Sequence, residues 1–233
     1  MPLNLNLSST KDFDLCCDLI RNNYEMIFGL KLSDNGFTHC SRRIERFVTQ
    51  CDLTQLIHLK SLILIHPTVD ILDQMLSKIN MNNLCYLSIK LKPSYDYFYS
   101  IPIDCPQLVS TLFNSQKMSS LKTLYSPWID LRNLNTLGKC NVENMYTTIQ
   151  DFYTFIELLK HLPKIQYLHV RISQAYSSFS RDLSATALAS IASSTLKCLK
   201  LDTPNKTIKY VRISPGYYCI VPTTTLKNRV TAI

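Results

Sequence analysis

Apolar residues recur along the chain in a hexad, L-x-x-L-x-L, in which the first, fourth and sixth places are apolar. Copies begin at Ile27 (then Leu30, Leu32), Leu59 (Leu62, Leu64), Leu84 (Leu87, Ile89), Leu121 (Leu124), Val142 (Met145), Ile165 (Leu168, Val170), Leu196 (Leu199, Leu201) and Ile208 (Val211, Ile213). The copies at Leu59, Leu84, Ile165 and Leu196 are complete, whereas Ser126 and Thr147 occupy the sixth place of the two in the middle. Between the hexads the apolar residues take a helical period: Phe13, Cys16, Ile20 and Tyr24; then Ile44, Phe47, Val48 and Cys51; then Leu72, Met75, Leu76 and Ile79; then Phe152, Phe155, Ile156 and Leu159. The pattern predicts strand, helix, strand, helix.

Side chains alternate faces along a strand, so the fourth and sixth places turn inward and the third, fifth and seventh outward. One such unit cannot bury its apolar face, but stacked units can, with a parallel sheet on the concave side and helices on the convex side. The reading is therefore an α/β leucine-rich-repeat solenoid of about eight irregular repeats, a single domain over residues 1–233. Hexad starts lie 21 to 37 residues apart before a last gap of 12, so the period is loose. A doubly wound sheet has the same element order but would normally carry a Gly- or Ser-rich ligand loop at a strand end, and none is visible. Leu3, Leu5 and Leu7 predict a short opening strand. Ile208–Ser214, Pro215-Gly216 and Tyr217–Val221 predict a hairpin or a last repeat, and 223–233 a frayed tail.

Composition removes most catalytic readings. With four glycines, widely separated, neither a G-x-G-x-x-G nor a Walker loop can be written, and G-x-S-x-G is absent. Nine cysteines with no C-x-x-C look like reduced intracellular thiols, which with the absence of a basic and then apolar leader predicts a cytoplasmic or nuclear protein. The most apolar stretch, Leu59 to Ile65, is far below the ~20 residues of a membrane span. The five histidines (39, 58, 66, 161, 169) show no metal-ligand spacing, and His39-Cys40 is the nearest approach to a nucleophile pair. Asp12, Asp14 and Asp18 are read as helix-dipole partners, and Trp128 as a core aromatic. No catalytic residue, metal ligand or cofactor is expected.

Net charge is +8, and the excess is C-terminal: from Lys160 onward eleven basic residues face only Asp182 and Asp202, while the first 159 residues carry −1. The outward places hold Tyr86 and Lys90, then Tyr125, Tyr146, then Tyr167, His169 and Arg171, then Lys200, then Tyr210 and Arg212. Tyrosine with Arg or Lys is the composition of binding hot spots, and this set is the candidate partner-binding face. It suits an acidic or phosphorylated protein segment, because Arg pairs bidentately with carboxylate or phosphate. Nucleic-acid or scaffold binding through the basic C-terminal third is the lesser alternative, since no recognised motif accompanies the charge.

The runs Lys11-Asp12-Phe13-Asp14-Leu15-Cys16, Leu30-Lys31-Leu32-Ser33-Asp34, Ile44-Glu45-Arg46-Phe47 and Leu56-Ile57-His58-Leu59-Lys60-Ser61-Leu62 resemble the opening of the repeat region in F-box proteins with divergent leucine-rich repeats. The specific likeness covers about residues 3–92, and beyond it the match is to leucine-rich repeats in general. The resemblance implies a non-catalytic substrate-recognition solenoid of a cullin–RING ubiquitin ligase. No F-box stands before Leu3 in this sequence, so docking to a Skp-type adaptor is expected only with an F-box upstream.

Overall fold

In the computed structural model the described residues are 2–5, 10–34, 42–90, 106–114, 116–126, 138–173, 194–202, 207–214 and 217–222. They form ten strands: β1 (Pro2–Leu5), β2 (Gly29–Ser33), β3 (Ser61–Ile65), β4 (Tyr86–Lys90), β5 (Thr123–Tyr125), β6 (Asn144–Ile149), β7 (Tyr167–Ile172), β8 (Cys198–Asp202), β9 (Thr207–Ser214) and β10 (Tyr217–Pro222). The helices are α1 (Thr10–Arg21), α2 (Arg43–Gln50), α3 (Val69–Lys78), α4 (Pro106–Leu112) and α5 (Phe152–Lys160). One sheet holds all ten strands in strict sequence order. Seven parallel pairings join β1 to β8, and the last two strands are antiparallel. No pairing skips a strand, so the reversal of order that marks a doubly wound sheet has no counterpart here.

The register superimposes the hexads place on place. Fourth places pair along Leu30, Leu62, Leu87, Leu124, Met145, Leu168 and Leu199, and every one is buried. First and sixth places from Ile27 to Leu201 are buried too, including Ser126 and Thr147, where the pattern is weakest. A small hydroxyl side chain can sit in an aliphatic column, and Thr147 does so with its Oγ1 unpartnered among the described residues. Against these columns pack Phe13, Cys17 and Ile20 of α1, Ile44, Phe47 and Val48 of α2, Leu72, Met75 and Leu76 of α3, and Phe155, Leu158 and Leu159 of α5. Helices α1 to α4 also touch one another in sequence order. At roughly 25 cal/mol per Å², each buried Leu or Phe stabilises the sheet–helix packing by about 1.5–3 kcal/mol.

Helix starts follow local chemistry. Thr68 Oγ1 accepts from Ile71 N at α3, and Asp151 Oδ1 accepts from Thr154 N at 2.8 Å at α5, each satisfying an otherwise orphaned amide. Of the α1 aspartates, Asp14 and Asp18 have other partners: Asp14 pairs with Arg46 of α2 at 2.6 Å, and Asp18, one turn from the helix end, pairs with Arg21. Helix α4 lacked a long periodic stripe and was not expected, although Val109, Leu112 and Phe113 are buried at helical spacing.

A second regularity lies at the second place of the hexad, just where each strand begins. The carbonyl of Phe28 accepts from both Lys60 N and Ser61 N; that of Lys60 accepts from Cys85 N and Tyr86 N; that of Cys85 from Lys122 N and Thr123 N. The series continues from Lys122 to Glu143 and Asn144, from Glu143 to Gln166 and Tyr167, and from Gln166 to Lys197 and Cys198, with all twelve distances between 2.7 and 3.1 Å. Each carbonyl uses both of its lone pairs on the next unit. The strands are thus locked at their starts, upstream of the ladder proper.

The copy at Ile208 departs from this scheme. Strand β9 runs antiparallel to β8, with Ile208 opposite Leu201, and turns into β10, so this segment is the hairpin and not a further parallel repeat.

Candidate functional site: an aromatic and charged sheet face

The face of the sheet away from the helices is set by the outward places. Fifth places pair as Lys31, Ile63, Ser88, Tyr125, Tyr146, His169 and Lys200 on β2 to β8. Four rings form a continuous ladder across β4 to β7. Tyr86 lies 6.3 Å from Tyr125; Tyr125 stacks on Tyr146 at 5.5 Å and 21°; the edge-to-face pair of Tyr146 and His169 closes to 4.6 Å at 82°. Such pairs contribute ~0.5–1.5 kcal/mol each beyond area burial. Tyr125 keeps 44% and Tyr167 50% of its surface exposed, a large aromatic area for a described surface whose core is otherwise closed.

The ladder ends in charge. His169 Nε2 lies 2.5 Å from Asp202 Oδ2, and Lys200 Nζ lies 3.4 Å from the same oxygen. Burial lowers the His169 pKa, and the Asp202 carboxylate opposes that effect through its hydrogen bond and charge. An ionised carboxylate only accepts, so Nε2 carries the proton donated to Asp202 and Nδ1 of the neutral ring is left as an acceptor. Asp202 also sits opposite Arg171 in the pairing of β7 with β8. Arg171 is exposed and forms no ion pair among the described residues.

Of the expected face, Tyr86, Tyr125, Tyr146, His169 and Lys200 come together, and Tyr167 and Arg171 flank them at the third and seventh places of β7. Lys90 is exposed at the end of β4, which lies three strands from Arg171, or about 14 Å at roughly 4.8 Å per strand. Tyr210 and Arg212 are placed by backbone only, and their side chains lie outside the described residues. The antiparallel register sets Lys209 opposite Lys200 and Tyr210 opposite Leu199, so it is Lys209 that shares the fifth-place column. The expected face of tyrosines and basic residues also holds an acid, Asp202, an outward seventh-place residue that pairs with Lys200 and His169, whereas Arg171 has no ion pair among the described residues. The place of Asp202 in the hexad was the signal that could have found it.

Other candidate chemistry does not assemble. Among the described residues there is no group of three or more metal-ligating side chains, and no helix is long and apolar enough to cross a membrane. The described cysteines are free thiols. Cys17, beside the Cys51 sulfur and buried, is pushed well above the ordinary thiol range, and burial pushes Cys140 up to about 11. Neither is a ready thiolate nucleophile. His39-Cys40, Trp128 and the tail 223–233 lie outside the described residues. Comparisons of the chain with models of protein families, with curated proteins and with solved structures return no match.

Proposed function

We propose that the chain is a leucine-rich-repeat solenoid that binds another protein on its ring-bearing sheet face and does no chemistry of its own, in the manner of the substrate-recognition part of an F-box ubiquitin ligase. The observation that carries this reading is the ring ladder, four aromatic side chains held on consecutive strands on the side away from the core. Rigid rings add contact area at little entropic cost, and Arg171 beside them offers a planar fork for carboxylate or phosphate. An acidic or phosphorylated segment fits that pairing. Stacking turns the Tyr125 and Tyr146 faces toward each other and leaves edges and hydroxyl groups for a partner, which suits hydrogen bonding to a polypeptide better than stacking on bases. Docking to a Skp-type adaptor requires an F-box joined to this segment.

The test is affinity capture from extract, comparing wild type with Tyr125→Ala/Arg171→Glu. Both residues are exposed, so the variant should fold normally. Partner recovery is expected to fall by at least tenfold, the sum expected for loss of an aromatic anchor and reversal of a charge. Equal recovery by the two proteins would place binding on another surface.

A further inference from the structure

A second charged surface lies along the rim where the strands begin, at the opposite end of each strand from Arg171 and Asp202. Over β5 to β8 this rim carries Lys117, Lys122, Lys139, Lys164 and Lys197, all exposed and none in an ion pair among the described residues. Lys122 and Lys197 occupy second places, so the carbonyl series fixes their backbones; Lys139 and Lys164 sit just before the hexads at Val142 and Ile165 and fill the two intervening units. Among the described residues of this rim the acid is Glu143, whose carboxylate already accepts from Gln166 Nε2 at 3.3 Å. Lys160, nearby, is excluded because it pairs with Glu157 in the last turn of α5, where it also complements the helix dipole. Among the described residues no comparable partner accounts for the other five. The same rim over β2 and β3 carries Glu25, Asp52 and Lys60, so the cationic row begins only at β5.

Lys122 and Lys197, at the same place three strands apart, are separated by about 14 Å at roughly 4.8 Å per strand, and Lys139 and Lys164 stand on the connections that lead into the two strands between them. We propose that this row is a docking strip for an acidic polypeptide segment, separate from the aromatic face. An extended segment spans that length with about four residues, at ~3.4 Å each. Lysine on a flexible stem meets carboxylates as a mobile point charge and needs no planar register. Nucleic acid fits less well. Of the rings beside the row, Tyr167 belongs to the outward sheet face and His161 is tied to the Gly138 carbonyl, and no described residue of this rim over β5 to β8 is an arginine.

The proposal is tested by anisotropy of fluorescein-labelled oligoglutamate with the full chain at low and moderate salt, alongside oligothymidylate of matched charge. Wild type should bind oligoglutamate with an affinity that falls steeply with salt. The charge-neutral variant Lys122→Gln/Lys139→Gln/Lys164→Gln/Lys197→Gln should bind at least tenfold more weakly with an unchanged melting temperature, while Arg171→Glu should bind as wild type does. Undiminished binding by the Gln variant, no binding by wild type, or tighter binding of oligothymidylate than of oligoglutamate would each overturn it. Loss on Arg171→Glu alone would transfer the acidic segment to the aromatic face, so the two readings fail separately.

Discussion

On the inner side of the sheet the fourth places read Leu30, Leu62, Leu87, Leu124, Met145, Leu168 and Leu199; on the outer side the fifth places of the same strands read Lys31, Ile63, Ser88, Tyr125, Tyr146, His169 and Lys200. One backbone, advanced by one residue, carries a nearly invariant column and a highly varied one. The inner column must fill a closed space against the helices, where a change of one methylene is felt. Apart from Ser88, which is itself buried, the outer column is free of that demand, and it changes character midway, from aliphatic and small on β3 and β4 to aromatic and charged on β5 to β8. Where packing releases a column, its composition reports on something other than folding.

The strongest way to break this contrast is Leu87→Asp. Leu87 is fully buried on a central strand, and an unpaired carboxylate there should cost several kcal/mol, unfolding the protein in a thermal melt. A folded, cooperative Leu87→Asp would mean that the inner column is not a core. A gentler probe sharpens the same contrast from the other direction. Thr147 is the inner-column residue whose hydroxyl lacks a partner among the described residues, so the isosteric Thr147→Val should raise stability by about 1 kcal/mol in denaturant melts. A loss would show that the hydroxyl is satisfied after all.

The smallest effect belongs to the outer column. Asp202 holds the His169 pKa up against burial, so Asp202→Asn should lower it further, which the His169 ring resonances would report across a pH titration. For the wild type the sign follows from the lowered value. The unfolded chain takes up the proton before the folded one, so stability contributed by His169 is present above its ordinary titration range and is lost as pH falls through that range into the lower folded value. A rise on Asp202→Asn would mean that Asp202 does not hold the His169 pKa up.

The inner register was legible from sequence because burial leaves few options: residues at places one, four and six were named from spacing, and all of them from Ile27 to Leu201 are buried. The outer face was legible only as positions. Spacing put Tyr125, Tyr146 and His169 in one column, but could not say that the rings would stack or that Asp202 would reach diagonally from the neighbouring strand to His169. Helix α1 shows the same division, since period alone chose Cys16 whereas Cys17 is the fully buried thiol, a rotation of about 100° being decided by how α1 meets α2. The direction of β9 was not written in its hexad at all; it follows from a short connection after β8, too short for a parallel crossover.

The carbonyl series at the strand starts also separates two quantities that repeat proteins often tie together, register and period. Six times over, the same pair of amides meets the same carbonyl, although the intervals between hexads range from 21 to 37 residues. Residues can therefore be gained or lost in the connections without disturbing how one unit meets the next. A single residue inserted between the first and third places would instead displace two hydrogen bonds and turn every later side chain of that strand to the other face. Over evolutionary time such a chain should vary in length chiefly on the helix side, and its surface loops are the natural points for grafting foreign segments.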